Sequence, residues 1–157
     1  MAIVISNIKT TPVLVPFRHP PVTASGAIGE LPLVLLDVET DVGLTGHAYL
    51  FVFLKSMLKP TMSCVAAIEE LVRGMDADPE QVDPLLRQQL RLLDIHGILG
   101  QVLAGLDMAL WDIRAKSEEL SLAKVLGDPK EYVKAYNSCG LWLEKGDPEK
   151  LADQAQK

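Results

Sequence analysis

The sequence predicts an α+β fold, a three-stranded antiparallel meander followed by a helical bundle. Two observations carry that reading. Apolar and polar residues alternate with period two along stretches of the first third of the chain, the mark of half-buried strands. From Leu58 onward apolar residues instead recur at helical spacing, the mark of helices with one face toward a core.

Residues 3–16 alternate around Ile3, Ile5, Val13 and Val15 and end at Pro16, which reads as one long or broken strand. Pro12 cannot donate a ladder hydrogen bond, so part of this strand belongs at a sheet edge. Residues 17–32, FRHPPVTASGAIGELP, mix prolines and glycines with apolar Val22 and Ile28. They predict a loop that still makes hydrophobic contacts. Leu33–Thr40 then reads as a strand, Asp41-Val42-Gly43 as a turn and Leu44–Phe51 as the returning strand, a hairpin that completes the meander. On the residues alone, Tyr49, Phe51 and Phe53 fit either core or pocket, and core is favoured.

Leu58–Arg73 predicts a helix with Gly74 near its stop, and Pro79–Leu92 a second one. The third helix lies within residues 98–127, ILGQVLAGLDMALWDIRAKSEELSLAKVLG. Leu99, Val102, Leu103, Leu106, Leu110 and Ile113 form its apolar stripe. Gly100, Ala104, Gly105, Ala109 and Ala115 leave little side chain on the other faces, so the helix is expected to pack on more than one side. Asp107 and Asp112 then need partners. Lys116 lies one turn beyond Asp112, and Arg114 lies near Asp107 around the helix. Trp111 also requires a partner for its indole N–H. Ser121 is placed to cap a short helix ending at Gly127. After Asp128-Pro129, Glu131–Asn137 alternates as a strand, and Asp147-Pro148 opens a last helix that reaches Lys157 without a cap, as an interrupted polypeptide would.

At 157 residues and 17.1 kDa the chain is too short for a (β/α)8 barrel, which typically needs about 250 residues. A formal charge of −6 and scattered Lys and Arg residues offer no footprint for nucleic acid or an anionic membrane. No signal peptide or membrane-length apolar run is evident, so the cytoplasm is the expected compartment. Cys64 and Cys139 have no C-x-x-C spacing and read as reduced and structural. His47 and His96 lack a ligand-spaced partner and read as structural too.

The run Ala104-Gly105-Leu106-Asp107-Met108-Ala109-Leu110-Trp111-Asp112-Ile113-Arg114-Ala115-Lys116, followed by Leu122-Ala123-Lys124-Val125-Leu126-Gly127, resembles the helix signature of the mandelate racemase and muconate lactonizing branch of the enolase superfamily. An amphipathic helix supplies a stripe but has no reason to supply A-x-x-D-x-A-x-W-D-x-x-x-K. The resemblance implies an enolase-like capping domain over residues 1–128. It implies that residues 129–157 are the first strand and the start of the first helix of a truncated (β/α)8 barrel, the rest being absent. The implied chemistry is abstraction of the proton alpha to a carboxylate, with the enediolate stabilised on Mg²⁺, by a racemase or an acid-sugar dehydratase.

The same resemblance puts the catalytic bases and the acidic Mg²⁺ ligands beyond Lys157, so this chain is expected to hold no catalytic residue, to bind no metal and to be inactive alone. It makes Asp107 and Asp112 structural. Arg18–Gly29 matches the family's cap loop, which selects substrate and excludes water; its candidate substrate-binding residues are His19, Val22, Thr23, Ser25 and Ile28. Mandelate-racemase-like members are more apolar where Ser25 stands, which favours a more polar 2-hydroxy acid or sugar acid as the small carboxylate substrate. Phe53 follows a hairpin, Gly46–Phe53, that helps to wall the family's pocket. Tyr136 and Ser138 fall at the end of the first barrel strand, where barrel enzymes place functional groups, and Ser138 is expected to hydrogen-bond the substrate carboxylate or hydroxyl. Exposed apolar cap surface is expected to favour a homo-oligomer. Two other readings stay open: a free-standing cap-like binding module, and a muconate-cycloisomerase or dipeptide-epimerase type of enzyme.

Overall fold

The computed structural model describes residues 2–18, 20–23, 26–127, 130–136, 149 and 152. Strand β1 covers Ile5–Pro16, β2 Val22–Thr23, β3 Gly26–Ala27, β4 Glu30–Thr40 and β5 Thr45–Phe51. After a 3₁₀ turn at Lys55–Met57, the helices are α1 Leu58–Val72, α2 Pro79–Gln89, α3 Gly97–Ser117 and α4 Leu122–Val125. The chain forms two compact units: Met1–Val13 with Pro32–Pro129, and Leu14–Leu31 with Lys130–Lys157.

In the first unit the sheet order is β1-β4-β5, so β4 is central and Pro12 does lie in an edge strand. The period-two alternation of β4 decides its orientation. Val34, Leu36 and Val38 are buried, while Leu35 is exposed and Asp37 and Glu39 are partly so. β4 and β5 pair antiparallel with Val34 opposite Leu50, Leu36 opposite Ala48 and Val38 opposite Gly46 on the core side. The tight turn between them uses Gly43 at a φ of 80°, a conformation open to glycine at low cost. Strand β4 begins at Glu30, three residues before the expected Leu33.

The core face of the sheet is covered by α3, with α1 and α2 packed against that helix. Val102, Leu103, Leu106, Leu110 and Ile113 are buried as the stripe predicts, and Leu99 packs at its margin. Each such side chain contributes about 1.5–3 kcal/mol on full burial. The small residues mark close approach: a Cβ on Gly105 would lie 2.4 Å from Leu50 Cδ2, and one on Gly46 only 2.0 Å from the Ala109 carbonyl oxygen. Ala104, in contrast, is exposed, so the packing extends over two sides of α3 and not all of them.

Asp78 caps α2, accepting from the Glu80 N–H at 3.0 Å, with Pro79 in the first turn. The helix ends at Gln89 and not at Leu92. Leu92 is 91% exposed and Leu93 faces solvent as well, so a further turn would have no apolar contact to hold it. Ser121 stands at the N-cap of α4, but its side chain makes no capping hydrogen bond.

In the second unit, part of the expected loop is a small hairpin, β2–β3. Of the expected strand Glu131–Asn137, residues 131–136 are in no strand here and are exposed. Alternation alone does not make a strand, because its N–H and C=O groups need a neighbouring strand to pair with. Glu149 and Ala152 are helical. Asn137, Ser138, Cys139, Asp147, Pro148 and Lys157 lie outside the described residues. Among the described residues, no helix is long and apolar enough to cross a membrane.

Candidate functional site

Three of the cap-loop candidates, Val22, Thr23 and Ile28, lie on or beside one small hairpin finger. Val22 pairs with Ala27 and Thr23 with Gly26 across the antiparallel β2–β3 ladder. The Ile28 N–H donates to the Pro21 carbonyl at 2.9 Å, and the Phe17 N–H to the Gly29 carbonyl at 3.0 Å, so backbone bonds continue to the base. Gly26 sits at a φ of 112°, where a side chain would be strained. Val22 is 49% exposed, Ala27 is exposed and Ile28 is half-buried. The finger therefore presents small apolar groups on a hydrogen-bonded frame. His19 and Ser25 lie outside the described residues. Tyr136, in the same unit, is 92% exposed and in no strand.

Phe53 belongs to the first unit, and its setting corrects the expectation of a core residue. It is 66% exposed, its ring centroid is 4.2 Å from that of Phe51, and Tyr49 is exposed too. The register explains this. Leu33, Leu35, Tyr49 and Phe51 share the outer face of β4 and β5, opposite the buried set. Phe51 is the stacking partner of Phe53; the spacing Tyr49-x-Phe51-x-Phe53 against buried Leu50 and Val52 holds the signal that these rings lie on the face away from the core. Phe53 also adopts a φ of 59°, and the Leu54 N–H reaches the Val52 carbonyl across it at 2.6 Å. Such a tight γ-type turn on an aromatic residue costs on the order of 1–3 kcal/mol.

The acidic residues of α3 are held in structural bonds. Burial tends to raise the Asp112 carboxyl, but hydrogen bonds from Lys116 and the His47 backbone N–H outweigh it and bring it below the usual carboxylate range. Asp107 is raised, mainly by burial and then by the charge of Asp83, with the Trp111 indole and the Arg87 guanidinium partly offsetting this. The expected Arg114–Asp107 pairing does not form. Arg114 turns to Glu80 of α2 at 2.8 Å and to Glu118 at 3.2 Å, and stacks over the Trp111 ring at 5.3 Å. His47 Nδ1 pairs with Asp37 at 2.8 Å, and His96 with Asp94. Burial pushes the Cys64 thiol up. An open cleft of about 510 Å³ beside α3 is lined by Met108, Trp111, Leu122 and Leu126 together with the committed Asp107, Asp112 and Lys116. Among the described residues, no group of three His, Cys, Asp or Glu side chains could hold a metal ion. The described residues do not fit the magnesium that the resemblance implies.

Comparison with known proteins agrees with this architecture. The chain is 32% identical over 133 residues to the arabinonate dehydratase of Saccharolobus solfataricus, covering 79% of this chain and 33% of that protein. It is 35% identical over 118 residues to the L-talarate/galactarate dehydratase of Salmonella typhimurium, covering 73% and 29%. Among solved structures it matches an enolase from Bradyrhizobium complexed with magnesium and mandelic acid, with a TM-score of 0.76 and 33% identity over 80% of this chain and 35% of that one. An enolase from alpha pretobacterium bal199 with bound Mg matches at a TM-score of 0.86 and 29% identity over 98% and 42%. The chain spans about a third of the length of the curated relatives it matches. The family profile described as the mandelate racemase/muconate lactonizing enzyme N-terminal domain matches residues 5–127, and the chain belongs to that family.

Proposed function

We propose that this chain is the N-terminal part of an enzyme that removes the proton alpha to the carboxylate of a 2-hydroxy or sugar acid, as a racemase or a dehydratase, and that it supplies the cap over the substrate. The observation that carries this is the β2–β3 finger, a hydrogen-bonded hairpin with Val22 exposed and Ile28 half-buried at its flank. An apolar cover of this kind excludes water from a reacting carboxylate. Thr23, Ser25 and His19 add hydroxyl and imidazole groups to the same stretch, suited to a polyhydroxylated acid. The relatives named as arabinonate and L-talarate/galactarate dehydratases support the sugar-acid side of this reading. Phe53, stacked on Phe51, is a further candidate for an apolar contact with substrate.

In this proposal the domain boundary falls near residue 128. Lys130–Tyr136 becomes a strand once a barrel strand pairs with it, bringing Tyr136 and Ser138 to the substrate. Magnesium, held by residues other than the described ones, would supply the positive charge the reaction needs. This chain alone is inactive. The test follows deuterium exchange at the alpha carbon of mandelate, galactarate and arabinonate in D₂O with the 157-residue chain, with and without Mg²⁺. No exchange above the protein-free rate is expected, and metal-dependent exchange by this chain would overturn the cap-only assignment. In the complete enzyme, Ser25→Leu is expected to lower kcat/KM for the sugar acid at least about tenfold, the scale of one lost hydrogen bond to substrate. An unchanged value would remove Ser25 from the site.

A further inference from the structure

The two outer strands of the sheet are closed by the same device on two different helices. On β5, Asp112 Oδ2 accepts from the His47 N–H at 2.9 Å and Lys116 Nζ donates to the Thr45 carbonyl at 2.6 Å, while the two side chains meet at 2.7 Å. On β1, Glu69 Oε1 accepts from the Ile8 N–H at 2.9 Å and Arg73 Nη1 donates to the Ser6 carbonyl at 2.9 Å, while the two side chains meet at 2.5 Å. Each time the acid precedes the base by four residues. Each time the strand groups are the C=O of one residue and the N–H two residues on, flanking Gly46 in β5 and Asn7 in β1.

Those are the two groups that one residue of a parallel neighbouring strand would engage, its N–H donating to the first and its C=O accepting from the second. A carboxylate stands in for that missing C=O, and an ammonium or guanidinium for the missing N–H. Neighbouring groups extend the closure. The backbone of Gly74, Met75 and Ala77 covers Ile3 and Ile5 of the first strand's edge, and Gln101 Nε2 reaches the Phe51 carbonyl at 3.4 Å. An i,i+4 pair on a helix surface adds little to the helix itself, whereas an open strand edge is a template for another chain. The geometry points to Glu69–Arg73 and Asp112–Lys116 as edge seals that stand in for a neighbouring strand and prevent strand addition by a second copy of this chain.

The test separates sealing from helix support by exchanging the charges in place. D112K/K116D keeps an opposite-charge pair at i,i+4 but sets an ammonium against the His47 N–H and a carboxylate against the Thr45 carbonyl. Amide hydrogen exchange in the full chain is expected to speed up at His47 by at least about tenfold, the scale of one lost charge-assisted hydrogen bond, while amides of central β4 such as Leu36 stay within about threefold. The weight-average mass by sedimentation is expected to exceed that of the wild type at equal concentration. Should the swap disturb the far-UV spectrum, the near-isosteric D112N and D112L carry the same test. D112N retains an acceptor and keeps His47 protected; D112L does not. E69A/R73A repeats it at Ile8. Wild-type exchange at His47 in both the swap and D112L overturns the proposal, as does faster exchange with no change in mass.

Discussion

Replacing Gly46 by alanine sets one methyl carbon 2.0 Å from the carbonyl oxygen of Ala109 and 2.8 Å from Ile113 Cγ1. The nearest atom is helix backbone, so no rotamer change can relieve the contact. Restoring an ordinary separation of 3.4 Å requires α3 to retreat from β5 by about 1.4 Å at that point. A gap of about 0.5–1 Å already forfeits a quarter to a half of the dispersion attraction across an interface. The same retreat pulls Asp112 and Lys116 from the His47 N–H and the Thr45 carbonyl, bonds to charged groups worth about 1.5–3 kcal/mol each. With partial relaxation the loss is about 3–5 kcal/mol, a large share of the roughly 5–15 kcal/mol that stabilises a domain. Thermal unfolding followed by circular dichroism is expected to show Tm lower by about 10–20 °C. Gly29→Ala is the control, since a Cβ there meets nothing within 4 Å, and it is expected to stay within about 0.5 kcal/mol of the wild type. A Gly46→Ala chain melting within about 3 °C of the wild type would refute the close-approach account of α3 on β5.

Four further outcomes are expected. Asp107 is raised, so the native state binds its proton more tightly than the unfolded chain does: its stabilising contribution is full below the ordinary carboxylate pKa and is lost as pH rises through the native value. Asp107→Asn should therefore raise stability at pH 7 by up to about 1 kcal/mol after allowance for solvent screening, and urea titrations at pH 7 and pH 3.5 should find the gain shrinking at the lower pH. Asp112 is lowered, so its contribution is present above the ordinary carboxylate pKa and fades as pH falls through the native value. Asp112→Asn should destabilise at pH 7 and converge on the wild type in acid; a gain at pH 7 would contradict the assigned bonds. Phe53→Gly is expected to be more stable than Phe53→Ala by about 1 kcal/mol, because only glycine relieves the positive φ, and chemical denaturation giving the reverse order would remove the strain argument. Thr61 is fully buried in α1, and its hydroxyl has no partner among the described residues, so Thr61→Val should raise stability by about 1 kcal/mol, with a lower urea midpoint as the contrary result.

Legibility followed the physics of one-sided burial. Strand β4 is readable because its alternate residues face a core and a surface, and α3 because its stripe from Leu99 to Ile113 faces a core for about four turns. The partner of Arg114 is not legible in the sequence because spacing shows only neighbours on the same helix, and Glu80 reaches it from the start of α2. The β2–β3 finger has two residue pairs, too few for a period to be detected. Glu131–Tyr136 had the period, but pairing is a tertiary event that no local pattern supplies. The positive φ of Phe53 had no signal at all, since a left-handed aromatic residue is fixed by the chain on either side of it.

The part of the chain that identifies the family and the part offered for substrate recognition are thus different in kind. Gly46, Ala109, Asp112 and Lys116 meet where α3 crosses the edge of β5: two without bulk to let the backbones approach, two charged to satisfy the strand groups that remain. That junction demands particular residue types at particular spacings, which is why the D-x-x-x-K run is recognisable, and it uses its charges up in the process. A carboxylate already accepting a backbone N–H and an ammonium is poorly placed to act as a base or a metal ligand. The finger makes the opposite demand. Its backbone bonds hold the frame, with glycine needed at position 26, so under the proposed function the side chains of Val22 and Thr23 are free to be set by the ligand. On that proposal, a change of substrate would alter residues other than those of the helix–strand junction on which the fold depends.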